Sequence, residues 1–187
     1  MNSLTATAKK IKIIISDVDG VLTDGSIYIG ENSTEFKKFN VMDGAGVAFA
    51  REAGIKIVLL SGRFSHATQS RAEELGLGED CYQGGLNKLE AYEEILKKGD
   101  YTHEDVAYIG DDLIDMVVME RVGLPIAVAN AHPLITKIAK MQTKAFGGEG
   151  AFREAIEEIL SLRGEYDTVL EGLYNRIING DSNIKSQ

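Results

Sequence analysis

Two aspartates two positions apart, Asp17 and Asp19, stand where an apolar run ends in the stretch IIISDVDGVLTD. The isoleucines at 13–15 are typical of a strand buried inside a sheet. Two carboxylates this close together repel each other, and burying them is costly unless their charge is compensated. A metal ion would supply that compensation and could hold a phosphate group there, so the pair is a candidate site for phosphate chemistry.

Two further apolar runs also end in polar residues: Ser61 and Gly62 after residues 55–60, and Gly110, Asp111 and Asp112 after residues 106–109. Lys88, in the first turn of a predicted helix, adds a cation. Ligands of open α/β sheets bind beyond the carboxyl ends of the strands, so we expect these side chains at one edge. Clustered carboxylate oxygens suit Mg²⁺, which keeps several waters. The sequence therefore predicts a magnesium site at this edge.

Short apolar runs alternate with helical patterns along the chain. Strands are predicted at 12–16, 55–60, 106–109 and 126–129, and helices at 64–75, 88–98, 113–122 and 151–162. This alternation is typical of an α/β fold, a Rossmann-like parallel sheet with helices on both faces. Residues 26–40 instead predict a β-hairpin insertion around the turn GENS. Apolar residues at helical spacing predict a C-terminal helical extension at about 165–178.

Length and composition favour one domain over residues 1–187, with a core at about 11–162. The net charge of −9 argues against nucleic acid and anionic membranes as partners. The only cysteine, Cys81, excludes an intramolecular disulfide and fits a reducing compartment. No apolar run approaches the roughly 18 residues of a membrane span. We therefore expect a cytoplasmic protein.

The order Asp-x-Asp-Gly-Val-Leu-Thr, Ser-Gly-Arg, Lys and Gly-Asp-Asp-x-x-Asp resembles the haloacid dehalogenase superfamily of phosphatases. More closely, the stretches DVDGVLTDG, KKFNVMDGAG, YQGGLNKL, YIGDDLID, ANAHP and GGEGAFRE resemble the 3-deoxy-D-manno-octulosonate 8-phosphate phosphatases, over about residues 11–160. These enzymes of lipopolysaccharide biosynthesis lack a cap domain and form tetramers in which a neighbouring subunit covers each active site. The resemblance implies a Mg²⁺-dependent sugar-acid phosphatase and a homotetramer, with the hairpin at 26–40 as the tetramerising element.

The resemblance also implies a role for each acidic residue. Asp17 is expected to be the nucleophile that forms an aspartyl-phosphate. Asp19 is expected to protonate the leaving sugar oxygen and then to activate water. Asp17 and Asp111 would bind Mg²⁺ through side chains and Asp19 through its backbone carbonyl, with Asp112 and Asp115 supporting the metal shell. The last two also have a simpler reading, as charges favoured at a helix N-terminus.

By the same resemblance, Ser61 and Lys88 would hold the oxygens of the transferring phosphoryl group. The expected substrate contacts are Gly20, Asn40, Gly62 and Arg63. Two of these residues have plain structural alternatives, because Ser61 could cap the following helix and Arg63 could pair with acidic side chains.

The stretch Gly147–Gly150 departs from the family pattern at Glu149, where a basic residue is often found. An acid there would weaken attraction to the carboxylate of the substrate. The glycines at 147, 148 and 150 have two readings that we leave open: they end a strand and start a helix, or they lie near the substrate entrance.

Two other functions compete with this hypothesis. One keeps the chemistry but changes the substrate to a nine-carbon sialic-acid-type 9-phosphate. The other is a noncatalytic phosphoacceptor or assembly module, such as a signalling receiver. Asp19 argues against a receiver, because a long-lived phosphoaspartate has no use for a general acid.

Overall fold

A parallel sheet of six strands forms the centre of the protein, in a computed structural model that describes residues 3–180. The strands of the described chain are β1 (Ile13–Ser16), β2 (Tyr28–Ile29), β3 (Glu35–Phe36), β4 (Lys56–Ser61), β5 (Cys81–Gln83), β6 (Val106–Gly110), β7 (Leu124–Ala127) and β8 (Met141–Gln142). The sheet order is β5-β4-β1-β6-β7-β8, and β2 pairs only with β3. All neighbours in the large sheet are parallel, which confirms the predicted α/β class.

Helices cover both faces of this sheet. They are α1 (Ser3–Ala8), α2 (Val41–Glu52), α3 (His66–Glu74), α4 (Lys88–Gly99), α5 (Met116–Met119), α6 (Pro133–Ile138), α7 (Ala151–Arg163) and α8 (Tyr166–Ile178). The β1 side chains alternate between the faces, with Ile14 in the cluster of α2 and α7 and its neighbours Ile13 and Ile15 in that of α4, α5 and α6. All three are fully buried, each worth about 1.5–3 kcal/mol of transfer free energy.

Several elements differ from the sequence-based expectation. The helix predicted at 113–122 is a 3-10 turn, Leu113–Asp115, followed by the four residues of α5. The turn forms because Asp112 and Asp115 cap it reciprocally. Strand β7 starts two residues before the predicted run at 126–129. The edge strands β5 and β8 were not predicted, because two or three residues carry no readable periodicity.

The hairpin is present as predicted, although its strands are short. Tyr28 pairs with Phe36 and Ile29 with Glu35, and a 3-10 turn at Glu31–Ser33 joins the strands. Tyr28 is 50% exposed and Phe36 is 58% exposed, so the outer face is apolar and uncovered. Ile29, opposite Glu35 on the other face, is 65% exposed. Phe39, which we expected to add to this surface, is instead half-buried and packs against the main core.

Helix α8 packs through Val169 and Leu173 onto the layer formed by α2 and α7. An ion pair between Arg176 and Glu52, 2.9 Å long, adds to this contact. The division into a core at 11–162 and an extension stays a prediction, and residues 1–2 and 181–187 of the predicted single domain lie outside the described residues. No helix within residues 3–180 is long and apolar enough to cross a membrane.

Candidate active site

Three neighbouring strands end within two residues of one another at one edge of the sheet. Ser16, the last residue of β1, lies opposite Leu59 of β4 and Ile109 of β6. From β1 the chain builds β4 and β5 on one side, then crosses to build β6, β7 and β8 on the other. Beside β1 there is thus a topological switch point, where open α/β sheets bind their ligands.

A cavity of about 300 Å³ opens at this edge. Its lining includes Asp17 and Asp19 from the loop after β1, Ser61, Gly62 and Arg63 from the end of β4, and Asp111 and Asp112 from the loop after β6. Three connections thus deliver seven of the predicted site residues to one cavity. Gly20, Asn40, Lys88 and Asp115 do not line it.

Lys88 lies beneath the cavity floor with no exposed side-chain surface. Its Nζ is 2.8 Å from Oδ1 of Asp17 and 2.7 Å from Oδ1 of Asp115. Lys88 also donates to the Tyr108 hydroxyl at 3.2 Å, and that hydroxyl donates to Asp115 at 2.6 Å. The position follows from local sequence, because the Asn87 side chain caps α4 and makes Lys88 its first residue.

The buried charges do not balance. Burial raises the pKa of Asp17 to about 7, with a further contribution from Asp115, although Lys88 opposes both. Burial and the neighbouring charge of Asp17 raise the pKa of Asp111 to about 8. Burial alone would lower the pKa of Lys88, but Asp17 and Asp115 outweigh it and raise that pKa. One ammonium therefore faces three carboxylates.

The same carboxylates fit a divalent cation. Oxygens of Asp17, Asp111 and Asp115 lie within 4.8 Å of one another. Oδ1 of Asp111 is buried and accepts no hydrogen bond from the described residues, so it lacks the partner that a cation would supply. A glycine is required beside it, because a Cβ on Gly20, whose φ is +91°, would lie 2.0 Å from Oδ2 of Asp111.

Asp115 is already engaged within the protein. Its Oδ1 accepts from Lys88 and Tyr108, and its Oδ2 accepts from the backbone N–H groups of Asp111 and Asp112 at 2.9 and 3.2 Å. Asp115 therefore orients the loop that carries Asp111. This is consistent with the predicted place of Asp115 behind the carboxylates that would bind a cation.

Asp19 meets a residue that the sequence did not single out. Both of its carboxylate oxygens accept from Nζ of Lys37, at 2.6 and 2.9 Å. Lys37 directly follows β3 of the hairpin. Only the alternation of Glu35, Phe36 and Lys37 would have indicated a charged inner face. Tyr108 was missed too, although a hydroxyl in a fully buried strand needs a polar partner.

The remaining predicted residues have structural partners. Ser61 donates to the carbonyl of Arg63 at 2.9 Å, whereas Ser65 caps α3, so the capping alternative for Ser61 is wrong. Arg63 forms an ion pair with Glu35 of the hairpin while also lining the cavity. Asn40 caps α2 and donates to the carbonyl of residue 148 at 3.3 Å. Its predicted substrate contact stays a prediction.

The glycines at 147 and 148 pack against the loop that carries Asp17 and Asp19. A Cβ on Gly147 would lie 1.7 Å from the carbonyl oxygen of Gly20, and one on Gly148 would lie 2.4 Å from the backbone nitrogen of Asp24. Close backbone approach thus requires both glycines. Glu149, which follows these two glycines, is exposed and does not line the cavity.

Comparison with known proteins agrees with this geometry. The family model of haloacid dehalogenase-like hydrolases matches residues 78–151. The 3-deoxy-D-manno-octulosonate 8-phosphate phosphatase KdsC of Escherichia coli K12 is 46% identical over 162 residues, which are 87% of this chain and 86% of the relative. The chain belongs to this phosphatase family.

Solved structures of the family show the same fold. The 3-deoxy-D-manno-octulosonate 8-phosphate phosphatase of Yersinia pestis superposes with a TM-score of 0.85 at 42% identity, over 89% of each chain. That of Moraxella catarrhalis gives a TM-score of 0.87 at 36% identity, over 92% of this chain and 99% of the relative. The Moraxella enzyme was crystallised with a magnesium ion, a phosphate ion and a KDO molecule.

Lys88→Met tests the charge balance in this member of the KdsC family. The substitution leaves two buried carboxylates without their cation, so the free energy of unfolding should fall by about 3–5 kcal/mol at pH 8. Without the opposing charge of Lys88 the pKa of Asp17 should rise above its wild-type value of about 7, so Asp17 should take up a proton and the deficit should shrink as the pH falls from 8 to about 6. Urea unfolding in EDTA at pH 8 and at about pH 6 measures the change.

Lys97→Met on the same helix is the matched control, because that side chain is exposed. Its stability should lie within about 0.5 kcal/mol of wild type. Equal stability of the Lys88 and Lys97 variants at pH 8 would contradict the charge balance described above.

Proposed function

We propose that this protein is a Mg²⁺-dependent phosphomonoester hydrolase that removes the phosphate of 3-deoxy-D-manno-octulosonate 8-phosphate through an aspartyl-phosphate. The observation that carries the chemistry is the buried carboxylate of Asp17, which contacts Lys88 at the cavity floor and stands two residues before Asp19. A nucleophile, a cation and an acid–base group thus meet at one ligand-binding edge.

The chain's own residues account for both halves of the reaction. An oxygen of Asp17 attacks phosphorus, the bond from phosphorus to the sugar oxygen breaks, and that oxygen takes the proton of Asp19. Water then attacks the aspartyl-phosphate and gives a proton to Asp19, while the bond from phosphorus to Asp17 breaks. Free phosphate leaves, and both aspartates return to their starting forms. Ser61 and Lys88 hold the phosphoryl oxygens during the transfer.

Mg²⁺ would neutralise charge on the phosphoryl group and keep its carboxylate ligands ionised. Its ligands would be the side chains of Asp17 and Asp111 and the backbone carbonyl of Asp19. Asp112 and Asp115 would support this shell, and the hydrogen bonds from Asp115 to the loop of Asp111 favour that assignment.

The names of the relatives support the substrate. The Escherichia and Yersinia proteins are 3-deoxy-D-manno-octulosonate 8-phosphate phosphatases, and the Moraxella enzyme binds the KDO product together with phosphate. The nine-carbon sialic-acid-type 9-phosphate and the noncatalytic phosphoacceptor are not favoured by these relatives. Substrate contacts are proposed for Gly20, Asn40, Gly62 and Arg63, of which Gly62 and Arg63 line the cavity.

Asp17→Asn should essentially abolish hydrolysis, because it keeps the shape and removes the attacking charge. Phosphate release from 3-deoxy-D-manno-octulosonate 8-phosphate measures the loss, and circular dichroism checks the fold. Asp24→Asn, in the same motif but outside the cavity, should stay active. Residual activity of the Asp17 variant within about tenfold of wild type, a barrier change of only ~1.4 kcal/mol, would sink the mechanism.

Chelation provides an independent test of the metal. EDTA should abolish turnover and Mg²⁺ should restore it, whereas Ca²⁺ should not. Calcium accepts more ligands in looser geometry and would engage both oxygens of Asp17, leaving none free to attack. Phosphate release is measured after each addition to follow the loss and recovery of turnover. Full turnover with Ca²⁺, or after exhaustive chelation, would contradict the assignment.

We also propose that the active form is a homotetramer built through the hairpin. Ile27 is 48% exposed, Ile29 is 65% exposed and Phe36, on the opposite face, is 58% exposed, so both faces of the hairpin carry apolar surface that a two-stranded ribbon cannot bury alone. Ile27 also lines the cavity, so a neighbouring subunit seated on the hairpin would lie beside the active site. Such a neighbour would exclude water and select the sugar.

Ile27→Glu combined with Phe36→Glu should give smaller species in light scattering. Activity should fall more for the sugar-acid phosphate than for p-nitrophenyl phosphate, because only the larger substrate needs the neighbouring subunit. Thr34→Glu, an exposed substitution in the same hairpin, is the matched control and should stay tetrameric. A monomeric wild type that still discriminates sharply between sugar phosphates would refute this assembly.

A further inference from the structure

The side chain of Lys37 is completely buried although its backbone lies on a surface hairpin. Its ammonium reaches across to the loop after β1 and donates to both oxygens of Asp19, at 2.6 and 2.9 Å. A third hydrogen bond runs to Oγ1 of Thr68 on α3, at 3.1 Å. All three ammonium protons are thereby engaged.

These contacts hold the Asp19 side chain, which lines the cavity, in one orientation. Asp19 lines the cavity with 29% of its side chain exposed, so it remains open to a substrate while Lys37 holds it from behind. Glu35, the next charged residue on the same hairpin face, lies 3.8 Å from Lys37 and pairs with Arg63. Two inward-facing residues of the hairpin thus join it to two groups of the site.

From this geometry we infer that Lys37 is a positioning residue for the acid–base carboxyl of Asp19, an inference that rests on the proposed function. A carboxylate that accepts from one ammonium through both oxygens is held in one orientation. Asp19 must present an oxygen to the leaving sugar oxygen in the first half-reaction and to water in the second. The contacts of Lys37 fix the direction of that carboxyl group for both steps.

A purely structural role for Lys37 predicts different behaviour. If the ion pair only fastened the hairpin, its loss would affect stability, assembly and KM, and both half-reactions would suffer alike. If Lys37 positions the acid–base group, the effect depends on the leaving group. A sugar alkoxide must be protonated to depart, whereas p-nitrophenolate departs without a proton. The hydrolysis of the aspartyl-phosphate needs Asp19 as a base with either substrate.

Lys37→Met is the decisive variant, assayed with 3-deoxy-D-manno-octulosonate 8-phosphate and with p-nitrophenyl phosphate in Mg²⁺. With the sugar phosphate, kcat should fall about 10- to 100-fold, part of the usual contribution of general acid–base catalysis. KM should stay within about threefold of wild type. With p-nitrophenyl phosphate, a burst of nitrophenolate should precede slow turnover. Intact mass after acid quenching should show one added phosphoryl group on the variant.

Lys37→Arg should recover most of kcat and lose the burst, because it restores a cation that can hold both oxygens. Lys38→Met is the matched control, since that neighbouring side chain is 58% exposed and pairs with Asp24 outside the cavity. It should behave as wild type. If Lys37→Met does not fold, Thr68→Val removes the third contact of the ammonium and should show the same burst at smaller amplitude.

The inference is overturned if Lys37→Met turns over like wild type. It is equally overturned if both substrates slow alike without a burst or a trapped phosphoenzyme, as a structural role predicts. A wild type inactive on both phosphoesters would instead overturn the proposed function, and this inference with it.

Discussion

The structure depends on one constraint, the compensation of carboxylates buried at the end of its central strand. Asp17 has 3% of its surface exposed, Asp115 has none, and the only ammonium that touches both among the described residues is that of Lys88. Burying a charge is tolerable only when it is paired and hydrogen-bonded. Strand β1, the turn after β6 and the first residue of α4 must therefore meet at one point. An error in any of them leaves a charge without a partner.

The parallel sheet meets this constraint through its connections. Strands β4, β1 and β6 end within two residues of one another, so their loops converge, and α4 returns along the face where Lys88 can reach beneath them. The loops then approach more closely than side chains would allow. Gly20 passes against Asp111, and Gly147 passes against Gly20. These glycines are thus needed for the charge arrangement, because they allow the loops to bring together the carboxylates that a cation could bind.

The sequence reveals the parts of this arrangement that local pattern encodes. Continuous apolar runs identified the central strands, and the order of the polar motifs placed Asp17, Ser61 and Asp111 at one edge. Long-range pairing has no such signature. Nothing near Lys37 in the chain indicates that it meets Asp19, since that contact depends on how the hairpin folds back. The edge strands β5 and β8 were missed for a related reason. Strands of two or three residues form only because a longer neighbouring strand supplies their backbone hydrogen-bond partners.

The hairpin shows how one local pattern can serve two purposes. Successive side chains of a strand point to opposite faces, so Glu35 and Lys37 turn toward the site while Phe36 between them turns outward. The inner face holds Asp19 and Arg63, and the outer face keeps an apolar surface in water. A two-stranded ribbon is at best marginally stable alone. Covering the outer face with another subunit would therefore stabilise the inner one, and through Lys37 it would also hold the carboxyl of Asp19 in place. In the tetramer proposed above, the alternation of side chains along one strand would link assembly to catalysis.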